Sequence, residues 1–528
     1  MIEKLSVMKA SQKSTINIIA FALILLIASF LRLYRLSSNP VSLNQDEAVN
    51  GYDAYSLMMT MRDHHGNFMP IMLESFDDWV SPAITYLTIP FVKVFGLSEF
   101  SIRLPIALLG TATVVLIYIL TVQLFNSKRL GLLAAFLLAI MPWHITFSRW
   151  AIPPSIVPFF LLLFVSTFLW AVRQDRGDYK IILAALFAAV LTYSYPTQKL
   201  FVPLFLAAIS MIFLRKNLVR LAIVWASYIV FVAPIYITTL SNPSRYNARF
   251  TQVSIIDPEV SFFKIIARFL LRYFRYALPN FNFGLASRDV LQRVPGFGST
   301  YEFLSIFFYI GILTCIAVIL KRESSNLVSR KTSLLLLSWL LIAPIPVSLT
   351  LENHNVSRMI HSLPLVVLLI VLGIMTIVQS LNSLQLKRGL TAAVVILGLL
   401  NAVSFNNFYL REYPDLSKKV YQYGIKDSIS YVQSKEDQFT KIVIDGQINQ
   451  PYIYYLFHSN YDPRTINFGD IMPSHKNKKI GKYEFRNITE QDLKDSKEVY
   501  RVEDKTRVWY RIYAKTNESL FVKRDYVE

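Results

Sequence analysis

The sequence is poor in charged residues and contains almost no cysteine. Only 17% of its 528 residues are charged, and Cys315 is the sole cysteine. A single cysteine excludes an intrachain disulfide and a metal site built from cysteines. The sequence also lacks a P-loop and any glycine-rich phosphate fingerprint, so the usual nucleotide-binding motifs are excluded.

Apolar residues dominate instead, at 54% of the chain, and the mean hydropathy is +0.41. This composition is typical of a polytopic membrane protein and not of a soluble enzyme of this length. Apolar runs of about 20 residues predict about eleven transmembrane helices, the first of them a retained signal anchor. The predicted spans begin near Ile16, Leu104, Leu130, Ser155, Ile181, Leu200, Leu218, Tyr301, Thr332, Met359 and Leu390.

The formal net charge of +19 comes mostly from short basic clusters between the apolar runs. Such clusters mark cytoplasmic loops, so we predict a cytoplasmic N-terminus and an extracytoplasmic C-terminus. Because the basic residues do not alternate with aromatic residues along a polar domain, we expect no nucleic-acid partner. The predicted domains are a transmembrane catalytic domain over 1–409, with a first extracytoplasmic loop over 37–103, and a small extracytoplasmic α/β domain over 410–528.

Acidic residues concentrate in the first loop, which holds eight of the 17 that precede residue 411. They are Asp46, Glu47, Asp53, Asp63, Glu74, Asp77, Asp78 and Glu99. The stretches "YDAYSLMM" and "ITYLTIPFVKVFG" in this loop predict amphipathic helices at the membrane surface. A carboxylate held there can accept a proton from a hydroxyl group or bind a divalent cation.

Two acidic pairs in this loop are candidates for chemistry. Asp46 and Glu47 follow the first span, and the local alternative is that Asp46 is the N-cap of a helix. Asp77 and Asp78 precede a Ser-Pro that predicts another helix start, and here the alternative is capping or a solvated loop.

Four basic residues lie at predicted outer ends of spans, against the charge bias. They are Arg103, Arg149, Lys199 and Arg358. One such residue is explained by contact with lipid phosphate, but four on the side of the acidic loop predict a site for a phosphate or pyrophosphate. Polar aromatic and imidazole side chains accompany them, namely Tyr193, Tyr195, His144, His354 and His361. A single histidine at a helix end is usually structural, and His354 is the best exception because it shares a short loop with Arg358.

These stretches together resemble the GT-C superfamily of membrane glycosyltransferases, and within it glycosyltransferase family 39 and its aminoarabinose-transferase-like relatives. The matching segments are "NQDEAVNGYDA", "SPAITYLTIPFVKVFGLSEFSIRLPIALLGT", "AAFLLAIMPWHITFSRWAIPP" and "HNVSRMIHSLP". The resemblance implies a polyprenyl-phosphate sugar donor, inverting transfer on the outer face, and a catalytic first-loop aspartate, which corresponds to Asp46. Arg103 matches the arginine of the family's "RLP" motif, and Arg149 matches a second arginine motif.

Two departures from the family pattern bear on the chemistry. Pro153 and Pro154 stand where many relatives carry an Asp after the second arginine motif. Val80-Ser81-Pro82 replaces the Lys-Pro-Pro or His-Pro-Pro of metal-binding relatives. Metal dependence is therefore open: no cofactor is assigned, and the candidate ligands of a divalent cation are Asp46, Asp78 and His354.

The expected enzyme transfers a hexose or pentose on the extracytoplasmic face of a bacterial plasma membrane. In this hypothesis Asp46 and Glu47 are catalytic, with Asp46 as base and Glu47 as its support, while the four basic residues bind the donor phosphate. Asp77, Asp78, Tyr193, Tyr195 and His354 complete the substrate pocket. A glycolipid or cell-wall glycan is favoured over a protein acceptor, because the β-rich insertion of protein mannosyltransferases is not recognised here.

Two other classes of protein fit parts of the sequence. A flippase or transporter of lipid-linked sugars would carry a polar track through several spans, and buried charges in the apolar runs are scarce. A polysaccharide polymerase or ligase would concentrate arginines in a large late loop. The loop from Ser241 to Thr300 contains such a set, namely Arg245, Arg249, Arg272, Arg275, Arg288 and Arg293.

Overall fold

The computed structural model describes residues 2–76, 78–174, 177–277, 290–321, 327–352, 355–471, 478–516 and 518–525. Helices make up most of this structure. In chain order they are α1 (Ile2–Leu33), α2 (Gln45–Thr60), α3 (Ala83–Phe95), α4 (Glu99–Phe125), α5 (Lys128–Ile140), α6 (Pro142–Phe147), α7 (Val157–Val172), α8 (Tyr179–Thr192), α9 (Gln198–Phe213), α10 (Leu218–Ser241), α11 (Pro243–Tyr246), α12 (Ala248–Val253), α13 (Phe262–Ala277), α14 (Ser305–Leu320), α15 (Arg330–Ile342), α16 (Pro344–Ser348), α17 (Leu363–Ser380), α18 (Leu384–Arg411), α19 (Tyr413–Ser417), α20 (Ile425–Ser434), α21 (Pro451–His458), α22 (Phe468–Ile471) and α23 (Glu490–Leu493).

Within the described residues, eight helical segments are long and apolar enough to cross a membrane. They are Thr15–Leu33, Glu99–Phe125, Pro153–Val172, Leu218–Ser241, Glu302–Leu320, Arg330–Ser348, Ile360–Ser380 and Leu384–Arg411. The predicted polytopic helical class is confirmed. The three other predicted spans fall on the shorter helices α5, α8 and α9, so the number of spans and their orientation stay predictions.

The chain forms two compact units. The first contains Met1–Tyr34, Ile106–Arg149 and Pro153–Tyr413, and the second contains Arg35–Pro105, Trp150–Ile152 and Pro414–Glu528. The boundary predicted between residues 409 and 410 stays a prediction.

Glycines bring two helices of the first unit into close contact. A Cβ added at Gly311 in α14 would overlap the carbonyl oxygen of Leu369 in α17, and one added at Gly373 would overlap that of Phe307. Helices in a membrane cannot gain stability from the hydrophobic effect between them, so they associate through close backbone packing at small residues. Gly311 and Gly373 supply that packing here.

The second unit combines the helices of the first loop with a six-stranded sheet. A hairpin, β1 (Leu73–Ser75) and β2 (Asp78–Val80), joins α2 to α3. The sheet strands are β3 (Lys441–Asp445), β4 (Lys478–Ile480), β5 (Tyr483–Arg486), β6 (Lys497–Glu503), β7 (Val508–Lys515) and β8 (Ser519–Arg524), in the order β4-β5-β3-β8-β7-β6. Strand β3 runs parallel to both β5 and β8, while the other neighbours are antiparallel. The predicted C-terminal α/β domain is therefore present.

The contact between α14 and α17 leads to a test of the membrane fold. Replacing Gly373 with Ala should lower stability by about 1–3 kcal/mol, because the two backbones must separate to admit a methyl group. The matched control is Gly389→Ala in α18, where a Cβ would meet nothing within 4 Å. Thermal unfolding of the purified variants in detergent should show a lower midpoint for the first only, and equal midpoints would contradict the packing described.

Candidate active site

The N-terminus of α2 is capped by Asn44 and not by Asp46. The side chain of Asn44 accepts a hydrogen bond from the backbone N–H of Glu47 at 3.0 Å, and Glu47 Oε2 accepts from the backbone N–H of Asn44 at 3.4 Å. This reciprocal pair is a capping box, which satisfies two amides of the first turn. The alternative prediction, that Asp46 is the N-cap of this helix, is therefore wrong. Asp46 lies in the first turn of the helix and is half-buried.

Glu47 is fully buried in an ion pair with Arg103, which also has no exposed surface. Arg103 Nε donates to Glu47 Oε1 at 2.8 Å, and Nη2 donates to Oε2 at 2.9 Å. The backbone N–H of Ala151 donates to Oε1 at 3.1 Å. Such bidentate, charge-assisted bonds fix the position of both groups. Glu47 is therefore fixed in position by Arg103, whereas the neighbouring Asp46 is half-buried.

The remaining N–H groups of Arg103 bind the segment that enters α2. Nη1 donates to the carbonyl oxygens of Leu36 and Pro40 at 3.3 and 2.9 Å, and Nη2 donates to that of Ser42 at 2.5 Å. A guanidinium has five N–H groups, and with the two bonds to Glu47 all five are used. This geometry leaves none for a donor phosphate, so we assign Arg103 a positioning role in place of the predicted phosphate contact.

Arg149 is likewise buried and bonded to backbone. Its Nη1 donates to the carbonyl oxygens of Leu31 and Arg32 at 3.1 and 3.0 Å, and its Nη2 donates to that of Tyr34 at 2.8 Å. The last carbonyl groups of a helix lack partners within the helix, and Arg149 supplies donors to them at the end of α1. Its position therefore favours a structural role over the predicted contact with a donor phosphate.

A third buried arginine, Arg32, was not predicted from the sequence. Its Nη1 donates to the carbonyl oxygen of Ala139 at 3.1 Å, and its Nη2 lies 2.5 Å from Nδ1 of His144. A guanidinium can only donate, so His144 Nδ1 is the acceptor and the imidazole is neutral. His144 is a structural residue, as a histidine at a helix end usually is. An arginine in the last turn of an apolar helix was the signal available in the sequence.

Lys199 and Arg358 differ from the other two predicted basic residues because both side chains are half-buried. Their segments are joined through His361. Gln198 Nε2 lies 3.2 Å from His361 Nδ1, and the ring of Phe201 stacks on the imidazole at 4.3 Å. The structure thus links the first turn of α9, where Lys199 lies, to the segment that follows Arg358.

Arg358 has one guanidinium nitrogen in an ion pair and another without a partner among the described residues. Its Nη2 forms an ion pair with Glu352 Oε1 at 2.9 Å. Its Nη1 is buried and has no hydrogen-bond partner among the residues that the structure describes. An unpaired buried donor is costly and usually indicates a ligand, an ion or a water molecule. Arg358 is therefore a candidate for a phosphate contact.

The other predicted pocket residues that the structure describes are Tyr193, Tyr195 and Asp78. The Tyr193 hydroxyl donates to Phe231 O at 3.3 Å and accepts from Ile235 N at 3.2 Å, bridging a gap in α10 beside Pro234. Asp78 lies in β2 and accepts from the N–H of Trp79. Tyr195 is half-buried between α8 and α9. Asp77 and His354 lie outside the described residues.

The first loop contains a buried aspartate–histidine pair that sequence reasoning missed. His64 Nδ1 lies 2.6 Å from Asp53 Oδ1, and His64 Nε2 lies 3.4 Å from the hydroxyl of Tyr452 in α21. The same Asp53 oxygen accepts from the backbone N–H of His64 at 2.9 Å. Burial, followed by the charge of Asp53, raises the pKa of the nearby Asp63 to about 6. The adjacent histidines in "RDHHGN" were the feature of the sequence that could have indicated this pair. Their partner Asp53 lies eleven residues earlier, so the pairing itself was not evident.

Three side chains were candidate metal ligands, namely Asp46, Asp78 and His354. Among the described residues, no group of three or more His, Cys, Asp or Glu side chains is arranged to hold a metal ion. His354 lies outside those residues, so metal dependence stays open.

Comparison with known proteins supports the resemblance. The model of a family described as dolichyl-phosphate-mannose-protein mannosyltransferase matches residues 80–240. A putative mannosyltransferase of Bacillus subtilis, YkcB, is 29% identical over 161 residues, which is 30% of this chain. The matched stretch spans only 21% of that relative's length.

Solved structures share the fold at low sequence identity. ArnT from Cupriavidus metallidurans matches without ligand (TM-score 0.53, 12% identity, 85% of each chain) and with undecaprenyl phosphate bound (TM-score 0.52, 12% identity, 84% of each chain). The oligosaccharyltransferase AglB from Archaeoglobus fulgidus, bound to an inhibitory peptide and a dolichol-phosphate, matches with a TM-score of 0.50 and 14% identity over 84% of this chain and 64% of its own. The protein is a polytopic membrane protein whose fold is that of ArnT and AglB. About a third of the chain is similar in sequence to the mannosyltransferase family and to the Bacillus subtilis relative.

The buried ion pair leads to a prediction about stability. Replacing Glu47 with Leu should lower the free energy of unfolding by about 3–5 kcal/mol, because the change leaves the buried Arg103 without its counter-ion. Arg464→Gln breaks the exposed pair with Asp462 in the same unit and should leave the unfolding midpoint almost unchanged, because an ion pair in water is screened. Unfolding midpoints of the two purified variants should differ accordingly. If the Glu47 variant were as stable as the Arg464 control, the ion pair would not support this unit.

Proposed function

We propose that this protein is an inverting glycosyltransferase that moves a sugar from a polyprenyl-phosphate donor to an acceptor hydroxyl. The observation that carries the proposal is the division between two adjacent carboxylates. Glu47 is neutralised by Arg103, while Asp46 is half-exposed in the first turn of α2. The fold relatives support the donor class, because ArnT was solved with undecaprenyl phosphate and AglB with a dolichol-phosphate.

In the proposed reaction, the acceptor oxygen attacks the anomeric carbon of the sugar and displaces the polyprenyl phosphate. A new C–O bond forms as the bond between that carbon and the phosphate oxygen breaks, so a single displacement inverts the configuration. Asp46 accepts the proton of the acceptor hydroxyl as general base. The fixed negative charge of Glu47 is paired with Arg103, so it does not compete for that proton.

The leaving phosphate needs positive groups that are already in place. Arg358, with its unpaired Nη1, and Lys199 are the half-buried candidates in the first unit. Donors that are pre-positioned in a site of low dielectric stabilise the developing charge far more than the same groups in water. We propose that these two residues bind the donor phosphate, and that Arg103 and Arg149 do not.

The acceptor and the side of the membrane are also part of the proposal. The charge bias of the loops supports an extracytoplasmic active site in a bacterial plasma membrane. A glycolipid or a cell-wall glycan is the favoured acceptor, followed by a protein.

The role of Asp46 is tested by Asp46→Asn. Removing the general base should lower sugar transfer at least about 100-fold while leaving donor affinity and the unfolding midpoint close to those of the wild type. The assay measures transfer of radiolabelled sugar from a panel of polyprenyl-phosphate sugars, with and without EDTA. The same experiment therefore reports which sugar is used and whether transfer depends on a metal ion. Asp462→Asn, which removes an exposed carboxylate of the same unit, is the control. Near-normal turnover of the Asp46 variant would refute the assignment.

The phosphate site is tested by Arg358→Gln. Loss of a charge-assisted contact should weaken donor binding about 10- to 100-fold. The control is the exposed Arg501→Gln in β6, because Arg149 is buried and bonded to the backbone at the end of α1. Binding of free polyprenyl phosphate should fall in parallel with binding of the donor. An unchanged affinity for both ligands would remove Arg358 from the site.

A further inference from the structure

Helix α13 separates basic and aromatic side chains onto opposite faces. Its sequence is "FFKIIARFLLRYFRYA". The basic residues Lys264, Arg268, Arg272 and Arg275 follow one another at intervals of four, four and three residues. The apolar residues Phe263, Ile266, Leu270 and Phe274 follow the same helical period on the other side. The helix therefore has one basic face and one aromatic and aliphatic face.

The apolar face is not buried in the protein. Phe263 is 81% exposed, Phe274 is 60% exposed and Leu270 is 45% exposed. In water, an uncovered face of this size would be unfavourable and prone to aggregation. The helix lies in the connection between two membrane segments, α10 and Glu302–Leu320. Lipid is therefore the nearest apolar medium available to cover it.

Hydrogen bonds from one edge of α13 attach it to neighbouring segments of the first unit. The Tyr273 hydroxyl donates to the carbonyl oxygen of Leu341 at 2.8 Å. The carbonyl oxygen of Glu352 accepts from the Tyr276 hydroxyl at 3.1 Å and from Arg272 Nη1 at 3.3 Å. These contacts fix the helix beside the segment that follows α16 and leave its apolar face outward.

The same contacts reach the loop that carries Arg358. The Tyr276 hydroxyl accepts from the backbone N–H of Asn355 at 3.3 Å, and the side chain of Asn355 accepts from the N–H of Arg358 at 3.0 Å. Glu352, whose carbonyl is bound by α13, uses its carboxylate to hold the Arg358 guanidinium. A change in the position of α13 would therefore be transmitted to Arg358.

We propose that α13 lies in the plane of the membrane surface, with its aromatic face in the acyl region and its basic face bound to the phosphates of anionic phospholipids. This contact holds the loop of Arg358 in the position that binds donor. The effect on Arg358 rests on the proposed function, whereas the membrane contact of α13 does not. A helix with this charge pattern is typical of in-plane membrane binding, and each basic residue near an anionic surface strengthens it.

This assignment changes the interpretation of the late loop. Its arginines suggested a polymerase or ligase, in which they would contact substrate. Arg272 and Arg275 belong instead to the basic face of α13, and Arg272 donates to the Glu352 carbonyl. Arg288 lies outside the described residues.

The depth of α13 can be measured in the full-length protein without any donor. Phe263→Cys in a Cys315→Ala background gives a sole thiol for a bimane label, because the chain has one cysteine. The protein is placed in nanodiscs that contain brominated phosphatidylcholine, with or without phosphatidylglycerol. We expect strong quenching of bimane at position 263 and weaker quenching at Lys264→Cys, and we expect phosphatidylglycerol to increase quenching at position 263.

The basic face is tested by the triple variant Lys264→Gln, Arg268→Gln and Arg275→Gln. Three basic residues should favour the docked state on the order of 100-fold on an anionic surface, so the triple variant should lose the effect of phosphatidylglycerol. The control removes three exposed lysines elsewhere, by Lys494→Gln, Lys497→Gln and Lys505→Gln. Equal quenching at positions 263 and 264, or no response to phosphatidylglycerol, would overturn the proposal and would indicate a protein partner or a second copy on this face.

Donor affinity supplies the second measurement. In phosphatidylglycerol nanodiscs the wild type should bind polyprenyl-phosphate donor more tightly than in phosphatidylcholine alone, and the triple variant should bind equally in both. If quenching responds to phosphatidylglycerol but donor affinity does not, the link to Arg358 is wrong while membrane docking stands. If Arg358→Gln leaves donor binding unchanged, Arg358 is not part of the donor site, and the quenching result is unaffected.

Discussion

The buried pair of Glu47 and Arg103 is the interaction on which the candidate site depends. Removing two charges from water is expensive, and the cost is offset only when every donor and acceptor of the pair is satisfied. Here five N–H groups of the guanidinium reach the carboxylate and three carbonyl oxygens of the segment before α2, and the carboxylate also accepts from Ala151. The pair therefore joins the entry to α2, the start of α4 and residues 150–152. Asp46, one residue before Glu47, takes its position from this arrangement.

Buried arginines have a common structural use in this protein. Arg32, Arg103 and Arg149 each donate to backbone carbonyl oxygens that lie far away in sequence or at the end of a helix. Unpaired carbonyl groups are costly in an apolar environment, and a guanidinium can serve several at once. Burial thus separates the basic residues into two groups. Arg32, Arg103 and Arg149 are fully buried, while Lys199 and Arg358 are partly exposed and are the residues proposed to bind the donor phosphate.

The inferred membrane contact of α13 and the proposed phosphate site are linked by a short chain of hydrogen bonds. Tyr276 binds Glu352 and Asn355, and both residues in turn hold Arg358. The proposed donor is lipid-linked and would reach its site from the bilayer, so a helix bound to the bilayer surface would be placed to affect its binding. The aromatic face of α13 and the phosphate site would then depend on the same lipid environment.

Much of the fold and part of the site could be predicted from the sequence because hydropathy, loop charge and strand alternation are local properties. They identified a polytopic helical protein, a C-terminal α/β domain and a first loop rich in acid, with Asp46 and Glu47 as its candidate pair. The sequence could not show that Asn44 caps α2, since Asn and Asp are equally good caps. Nor could it show that the fold uses every N–H group of Arg103, that Arg149 binds the end of α1, or that Asp53 pairs with His64. Those outcomes depend on which groups meet across the chain, as Glu47 and Arg103 do over a separation of 56 residues. Local sequence determined which residues were chemically able to act, and tertiary contacts decided which of them remained accessible, because a buried donor bonded to protein has no capacity left for a substrate.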